Sequence, residues 1–178
     1  MADYTQNVLK AAIHALSEVV APSVDPDDPL AVEQLNLVIA WLEFERDRYP
    51  RSHDLHRAGV RWQRGIAEAA LAAVGPTHGR DLSDRIARAD RVLAEPEAGE
   101  PQLRAAEQDL AAGVSDLVRA ADAFGPDSAR ALERAVIAAS ENYLTGHRVW
   151  LQPLGVEAGA TDLPPLDDVL LGACEDKQ

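Results

Sequence analysis

Apolar residues recur every three to four positions along almost the whole chain, which is the period of an α-helix. No stretch alternates apolar and polar residues as a half-buried strand does, and no repeat has a fixed period. The pattern therefore predicts an all-α protein. The main helices are expected at 28 to 49, 53 to 74, 101 to 124 and 126 to 151, with shorter ones at 4 to 21 and from Asp81.

Proline, glycine and capping residues separate these helices. Asp28 before Pro29 is a favourable N-cap with proline in the first turn, and Gly75 ends the helix that precedes it. Because the connections are short, the sequence predicts an antiparallel up-and-down bundle of about six helices that forms a single domain over residues 1–178. The helix from Pro29 to Tyr49 is apolar on nearly every side and is expected to be the most buried.

Length and charge narrow the class of protein. A chain of 178 residues can bury about 70% of the surface of its unfolded form, so it needs neither a disulfide nor a metal to fold. The net charge of −13 argues against non-specific nucleic-acid binding, which depends on lysine and arginine at phosphates. No apolar run reaches the roughly 18 residues of a membrane span, so no membrane association is expected.

Two features of the sequence favour the cytoplasm. The N-terminus lacks the positively charged region of a signal peptide. Cys174 has no second cysteine in the chain to pair with, which agrees with a reducing compartment. The protein is therefore expected to be cytoplasmic.

The motifs of common enzyme classes are missing from the sequence. No glutamate stands three residues before any of the five histidines, so the Glu-x-x-His pattern of di-metal helical bundles is absent. The patterns H-E-x-x-H, G-x-x-x-x-G-K, G-x-G-x-x-G and G-x-S-x-G are absent too. No cofactor and no catalytic residue is predicted, although chemistry assembled from scattered residues stays open.

One segment of this acidic chain is locally basic. Residues 41 to 65 hold six of the fifteen arginines, and Arg57, Arg61 and Arg64 follow one another on one face of the helix predicted at 53 to 74. Guanidinium groups bind carboxylate and phosphate bidentately, so this arginine stripe is a candidate site for an anion or an acidic partner. The alternative is a solvated face whose charge is balanced by acids three or four residues away.

His53 and His56 lie one helical turn apart at the start of the same helix. They are near enough to share a metal ion, with Asp54 or Glu43 as an oxygen ligand. Exposed histidines beside a proline turn are also ordinary, and no metal is predicted.

A further candidate site is aromatic. Tyr143, His147 and Trp150 share one face of the helix predicted at 126 to 151, and Trp41 or Trp62 could join them. Rings with polar tips can line a pocket for a small apolar ligand. The same side chains can equally be core residues whose hydrogen bonds are satisfied.

The segment 153–178 contains proline, glycine and many acids. Its last apolar turn, LDDVLL, can fold back on the bundle, and its acids can dock on the arginine stripe of the same chain or of a partner. These acids are Asp162, Asp167, Asp168, Glu175 and Asp176. Charged chain ends are more often simply solvated.

Three functional hypotheses remain. The preferred one is an interaction or accessory protein that self-associates, as in a homodimer, or binds another protein through an apolar helix face. The alternative is a small-ligand binding module with its pocket near Tyr143, His147 and Trp150. The third is an enzyme that uses His147, Glu141 or the histidines at 53 and 56 as acid or base, although no nucleophile or oxyanion site is evident.

Overall fold

All regular structure in the described part of the chain is helical. The computed structural model describes residues 4–75, 78–155, 157 and 162–172, and these residues contain no strand. Their α-helices are α1 (Tyr4–Ala15), α2 (Pro29–Arg48), α3 (Ser52–Val74), α4 (Arg80–Ala94), α5 (Glu100–Arg119), α6 (Pro126–Ala139), α7 (Glu141–Leu151) and α8 (Leu166–Leu171). None of these helices is both long and apolar enough to cross a membrane. The predicted all-α fold is confirmed, and the antiparallel up-and-down order stays a prediction.

Contacts along the backbone divide the chain into two compact units. Unit 1 consists of Met1–Ser52 and Trp150–Ala160, and unit 2 consists of His53–Val149 and Thr161–Gln178. Unit 1 contains α1 and α2, whereas unit 2 contains α4, α5, α6 and α8 with most of α3 and α7. The expectation of a single domain stays a prediction.

The buried core of unit 2 is built from α3, α4, α5 and α6. Helices α3, α4 and α5 bury side chains spaced three or four apart, so one stripe of each faces the core, and α6 contributes Leu132. The large core side chains with no exposed area include Val60, Leu103, Leu110 and Leu132. Gly113 lets α5 approach α4 closely, because a Cβ there would lie only 2.6 Å from Cδ of Arg85.

Unit 1 has very little buried apolar surface. α1 packs along α2, yet in the described chain no residue of α1 is buried and Phe44 is the one buried residue of α2. The ring of Phe44 packs edge-on against Trp41 and Trp150, at centroid distances of 5.7 and 6.3 Å. The prediction that this helix is the most buried is therefore wrong, because its apolar residues surround it on all sides and its neighbours in unit 1 cover only part of them.

Two predicted helices are less regular than expected. The helix predicted at 126 to 151 is two helices, α6 and α7, which meet at Ser140. The Ser140 hydroxyl donates to the carbonyl oxygen of Val136 at 2.7 Å, and such side-chain bonding to the preceding turn bends helices. The helix predicted at 4 to 21 leaves α-geometry after Ala15, continuing as a wider π turn at Leu16–Val20 and a tighter turn at Ala21–Ser23.

The helix caps are only partly as predicted. Asp28 caps α2 as expected, its carboxylate accepting from the Ala31 N–H at 3.1 Å. Gly75 ends α3 with a φ of 74°, a left-handed conformation that glycine adopts without strain. Asp81, in contrast, is not a cap, because α4 already begins at the residue before it.

Candidate functional site

Unit 2 contains a cavity of about 340 Å³ with both polar and apolar walls, which we call the polar cavity. Helices α3, α5 and α7 supply its lining, so three segments far apart in the sequence meet there. The polar and ionisable side chains that carry its chemistry are His56, Gln63, Arg104, Glu107, Tyr143 and His147. With Gln108, which also lines it, the cavity therefore combines two imidazoles, a phenol, two amides and one charge of each sign.

Glu107 of α5 is the acidic group of the polar cavity, and it is half-buried. Burial raises the pKa of its carboxyl above the ordinary value of 4.5, because the charged form loses hydration, and the imidazoles of His147 and His56 oppose this rise. Within the part of the chain that the structure describes, no hydrogen bond or ion pair is made by this carboxyl. Its oxygens therefore have unused capacity to accept hydrogen bonds.

Gly59 of α3 makes room for this carboxyl. A Cβ at position 59 would lie 2.9 Å from Oε2 of Glu107, closer than a real Cβ normally comes to another heavy atom. The missing side chain thus lets Glu107 lie against the backbone of α3. Gln63, one turn later on the same helix, is itself buried, so this wall of the cavity is polar at depth.

Three of the five predicted aromatic residues come together in unit 2. The ring of Trp62 packs edge-on against Tyr143 and His147 at centroid distances of 6.2 and 5.8 Å, and the latter two rings lie 4.3 Å apart. Nδ1 of His147 lies 2.9 Å from the Tyr143 carbonyl oxygen. Since a carbonyl only accepts, this bond places a proton on Nδ1 and leaves Nε2 as the acceptor of the neutral ring. Burial raises the pKa of Tyr143, and the charge of Glu107 raises it further.

Trp41 and Trp150, the other two predicted pocket residues, belong to unit 1. Both pack against Phe44, and the Arg48 guanidinium lies 5.4 Å from the Trp150 ring centroid. That Trp150 shares a pocket with Tyr143 stays a prediction. Seven helical residues span about 10 Å, so side chains on one face of α7 reach different neighbours.

Two arginines of the arginine stripe bind α4. Arg57 donates to the carbonyl oxygens of Leu93 and Glu95, at the end of α4 where carbonyls lack helical partners. Arg64 pairs with Asp90 of α4 at 2.5 Å. These guanidinium groups, which the sequence suggested for an external anion, therefore already have partners inside unit 2.

The third arginine of the stripe binds the C-terminal segment. Arg61 donates to the carbonyl oxygen of Leu170 in α8. Leu170 has no exposed area and Val169 is buried as well, so the apolar side of this short helix packs within unit 2. Of the acids proposed for docking, Asp162, Asp167 and Asp168 are described, whereas Glu175 and Asp176, like Cys174, lie outside the described residues.

His53 and His56 contact the connection between α4 and α5. Nε2 of His53 lies 3.0 Å from the Ala98 carbonyl oxygen, and Nε2 of His56 lies 3.8 Å from Oε2 of Glu100. No group of three or more His, Cys, Asp or Glu side chains is placed to hold a metal ion in the described ranges. His56 also lines the polar cavity, a place that the sequence did not suggest for it.

Glu107, Gln63 and Arg104 were not identified from the sequence. One signal for Glu107 was available, because this residue follows Leu103 by four positions and precedes Leu110 by three, and so occupies the apolar stripe of its helix. Burying a charge at such a position costs free energy, so a charged residue there is a candidate for a functional role. Its neighbours across the cavity belong to α3 and α7, and no local pattern links those helices to α5.

Unit 1 leaves several large apolar side chains exposed. On α1 and α2 these are Tyr4, Val8, Leu30, Leu37, Val38 and Trp41. Exposed apolar groups that lie together are uncommon on soluble monomers and mark surfaces that another molecule covers.

Comparison with protein families, with curated proteins and with solved structures finds no match to this chain.

Proposed function

We propose that this protein is a small-ligand binding module and that the polar cavity of unit 2 is its binding site. The observation that supports this most directly is the half-buried carboxyl of Glu107, which faces a cavity and has no hydrogen-bond donor among the described residues. Removing a charge from water costs free energy unless a partner compensates for it. A ligand that donates to Glu107 recovers part of that cost, and such a ligand is polar rather than apolar.

The rest of the lining suits recognition of a small molecule. Ligand sites typically occupy about 300 to 1,000 Å³ and use a few polar groups to orient the ligand, and the volume of about 340 Å³ lies at the small end of that range. Gln63, Tyr143 and His147 supply such groups. The lining contains no Ser, Thr, Cys or Lys side chain.

A ligand library screened by thermal shift tests the proposal. A molecule that binds the folded protein at a concentration 100 times its Kd stabilises it by roughly 2.7 kcal/mol, so a ligand raises the melting temperature. It should also change the fluorescence of Trp62, whose ring contacts Tyr143 and His147.

A matched pair of variants locates the site. Glu107→Gln should abolish or weaken the response, whereas Glu133→Gln, at an exposed position of α6, should leave it unchanged. A library that never shifts the melting temperature, or hits that are indifferent to Glu107→Gln, would overturn the proposal.

Self-association through α1 and α2 is a second candidate function. It is supported by the exposed apolar side chains of unit 1, which has one buried apolar residue on these two helices. The partner in this interface is a second copy of the chain. A second copy presents the same uncovered apolar side chains, so one two-fold interface would cover both sets.

Light scattering across a range of concentrations tests this second candidate. We expect a dimer that Leu30→Glu combined with Leu37→Glu converts to a monomer, because charges would be buried in the interface. Leu144→Glu, at an exposed position of α7, is the control and should leave the dimer intact. A wild-type protein that stays monomeric at every concentration contradicts self-association.

A further inference from the structure

Two side chains of opposite charge line the polar cavity from the same helix. Arg104 is exposed and Glu107 is half-buried, three positions further along α5, so their Cβ atoms are about 5–6 Å apart. Oppositely charged neighbours at this spacing commonly pair on a helix surface. Here neither side chain makes a hydrogen bond or ion pair with any residue in the described ranges. The cavity therefore offers one cationic and one anionic group from neighbouring turns of α5, and the described chain gives neither a hydrogen bond or ion pair.

We propose that the ligand of the polar cavity is a small zwitterion of the amino-acid class, with its ammonium on Glu107 and its carboxylate on Arg104. This ligand class rests on the proposed function, since it names the molecule for the same cavity. An ammonium supplies the N–H donors that the Glu107 carboxyl lacks. A carboxylate matches the two parallel N–H donors of a guanidinium, and charge-assisted bonds of this kind are about twice as strong as neutral ones.

Ligands with a single charge fit this pair less well. A simple cation satisfies Glu107 but has to share the cavity with Arg104, a like charge. A simple anion satisfies Arg104 but lies one helical turn from the carboxyl of Glu107. A neutral polar molecule supplies neither group with an opposite charge while it displaces water from both, which costs free energy. Only a zwitterion gives each charge a partner of opposite sign.

The different burial of Glu107 and Arg104 sets the orientation of the bound ligand. Glu107 is the more buried of the two, so the ammonium is the inner group and the carboxylate the outer one. The Tyr143 ring lines the same cavity, and a cation near an aromatic face gains further electrostatic attraction. Leu55 and Ala111 supply apolar wall for a ligand side chain, and the volume of about 340 Å³ limits that side chain to a modest size.

Calorimetric titration with matched probes tests the ligand class. The probes are the twenty common L-amino acids and, for each one that binds, its N-acetyl derivative and the amine that lacks its carboxylate. The N-acetyl derivative has lost the cation and the amine has lost the anion. We expect each analogue to bind at least about tenfold more weakly than its parent, because each loses one charge-assisted contact.

Variants assign each end of the ligand to its residue. Glu107→Gln and Arg104→Gln should each weaken binding of the parent amino acid at least about tenfold. The assignment predicts crossed behaviour: Arg104→Gln should barely affect the amine, and Glu107→Gln should barely affect the N-acetyl derivative, since those contacts are already lost. Arg119→Gln is the control, because Arg119 is an exposed arginine of α5 that pairs with Asp116 and does not line the cavity.

Three results would overturn the zwitterion assignment. The first is an amine that binds as tightly as its parent, with no effect of Arg104→Gln, because the cavity would then recognise a cation alone. The second is an N-acetyl derivative that binds as tightly as its parent. The third is a library in which other molecules bind in a Glu107-dependent way and no amino acid does. In that third case the ligand class fails while the proposed binding site stands, whereas an entire library without effect contradicts both.

Discussion

The ring of Trp62 lies directly on the backbone of Gly146. A Cβ built on this glycine would be 2.2 Å from Cη2 of the ring, so the contact exists only because position 146 has no side chain. The contact joins α3 to α7 and leaves the ring edge-on against Tyr143 and His147, two lining residues of the polar cavity. The wall of the cavity therefore depends on a glycine outside its lining.

Gly146→Ala should destabilise the protein. The added methyl group overlaps the Trp62 ring, and forcing an extra carbon into a packed site typically costs about 1 to 3 kcal/mol. The free energy of unfolding in urea, followed by circular dichroism, measures the effect. The variant should also change the emission of Trp62 and weaken any ligand response, because the ring has to move.

Gly65→Ala is the matched control for this prediction. Gly65 lies in α3, and a Cβ there would meet no atom within 4 Å. Replacing an exposed helical glycine by alanine typically stabilises a helix by about 0.5 to 1 kcal/mol, so the two substitutions should have opposite signs. Equal effects would mean that α3 and α7 do not pack as described.

Arg57→Ala should destabilise unit 2. The Arg57 guanidinium donates to the carbonyl oxygens of Leu93 and Glu95, and losing hydrogen bonds from a charged group typically costs about 1 to 3 kcal/mol. Arg57→Lys should not restore the loss, because an ammonium lacks the planar fork that reaches two acceptors. Urea denaturation measures both variants.

The control for Arg57 is an arginine with an exposed ion pair. Arg130 pairs with Asp127 at 3.4 Å on the surface of α6, where such pairs contribute about 0 to 1 kcal/mol. Arg130→Ala should therefore change stability by much less than Arg57→Ala. If both variants lose the same free energy of unfolding, the hydrogen bonds of Arg57 to the end of α4 stabilise the protein no more than an exposed ion pair does.

Leu170→Ala and Leu171→Ala test the packing of α8. Leu170 has no exposed area, and truncating a buried leucine typically costs about 2 to 5 kcal/mol. Leu171, the next residue, is 65% exposed, so the same truncation there should change stability by no more than about 0.5 kcal/mol. Comparable small losses at both positions in urea denaturation would contradict the packing of this helix within unit 2.

Glu107→Gln should change how stability depends on pH. Below the ordinary pKa of 4.5 the carboxyl is protonated in both the folded and the unfolded chain. Folding then buries no charge at this position and loses no stability to it. Because burial raises the folded-state pKa, wild-type stability falls relative to the Gln variant as the pH rises from below 4.5 through that raised value. The imidazoles of His147 and His56 oppose this effect and reduce its size.

Urea denaturation from pH 3.5 to 8, roughly one unit below that pKa to well above it, measures this dependence. The free energy of unfolding of Glu107→Gln should increase relative to that of wild type as the pH rises. Glu133→Gln, at an exposed position of α6, should show the same pH dependence of this free energy as wild type. If the difference in free energy of unfolding between Glu107→Gln and wild type is constant with pH, or largest in acid, the burial of this carboxyl is contradicted.

Much of the fold could be predicted from local patterns. The helix expected at 53 to 74 is observed at Ser52–Val74, and Asp28 and Gly75 cap the helices that they were expected to cap. The aromatic candidates Tyr143, His147 and Trp62 were named from the same patterns and do contact one another. The contacts of Trp150 with Phe44 and Arg48 had no signal in the sequence, since helical spacing shows which face a residue occupies and not which side chains cover that face.

The sequence by itself determined what depends on neighbours within about four residues: that the chain is helical, where several helices begin or end, and which stripe of each is apolar. Only the tertiary structure decided that Glu107 lies against Gly59, that Trp62 lies on Gly146 and that the arginine stripe binds within unit 2. The physical reason is the range of the interactions. Helical periodicity and capping act along the backbone, whereas a cavity forms where helices distant in sequence pack, and which ones do so depends on the fit of many side chains at once.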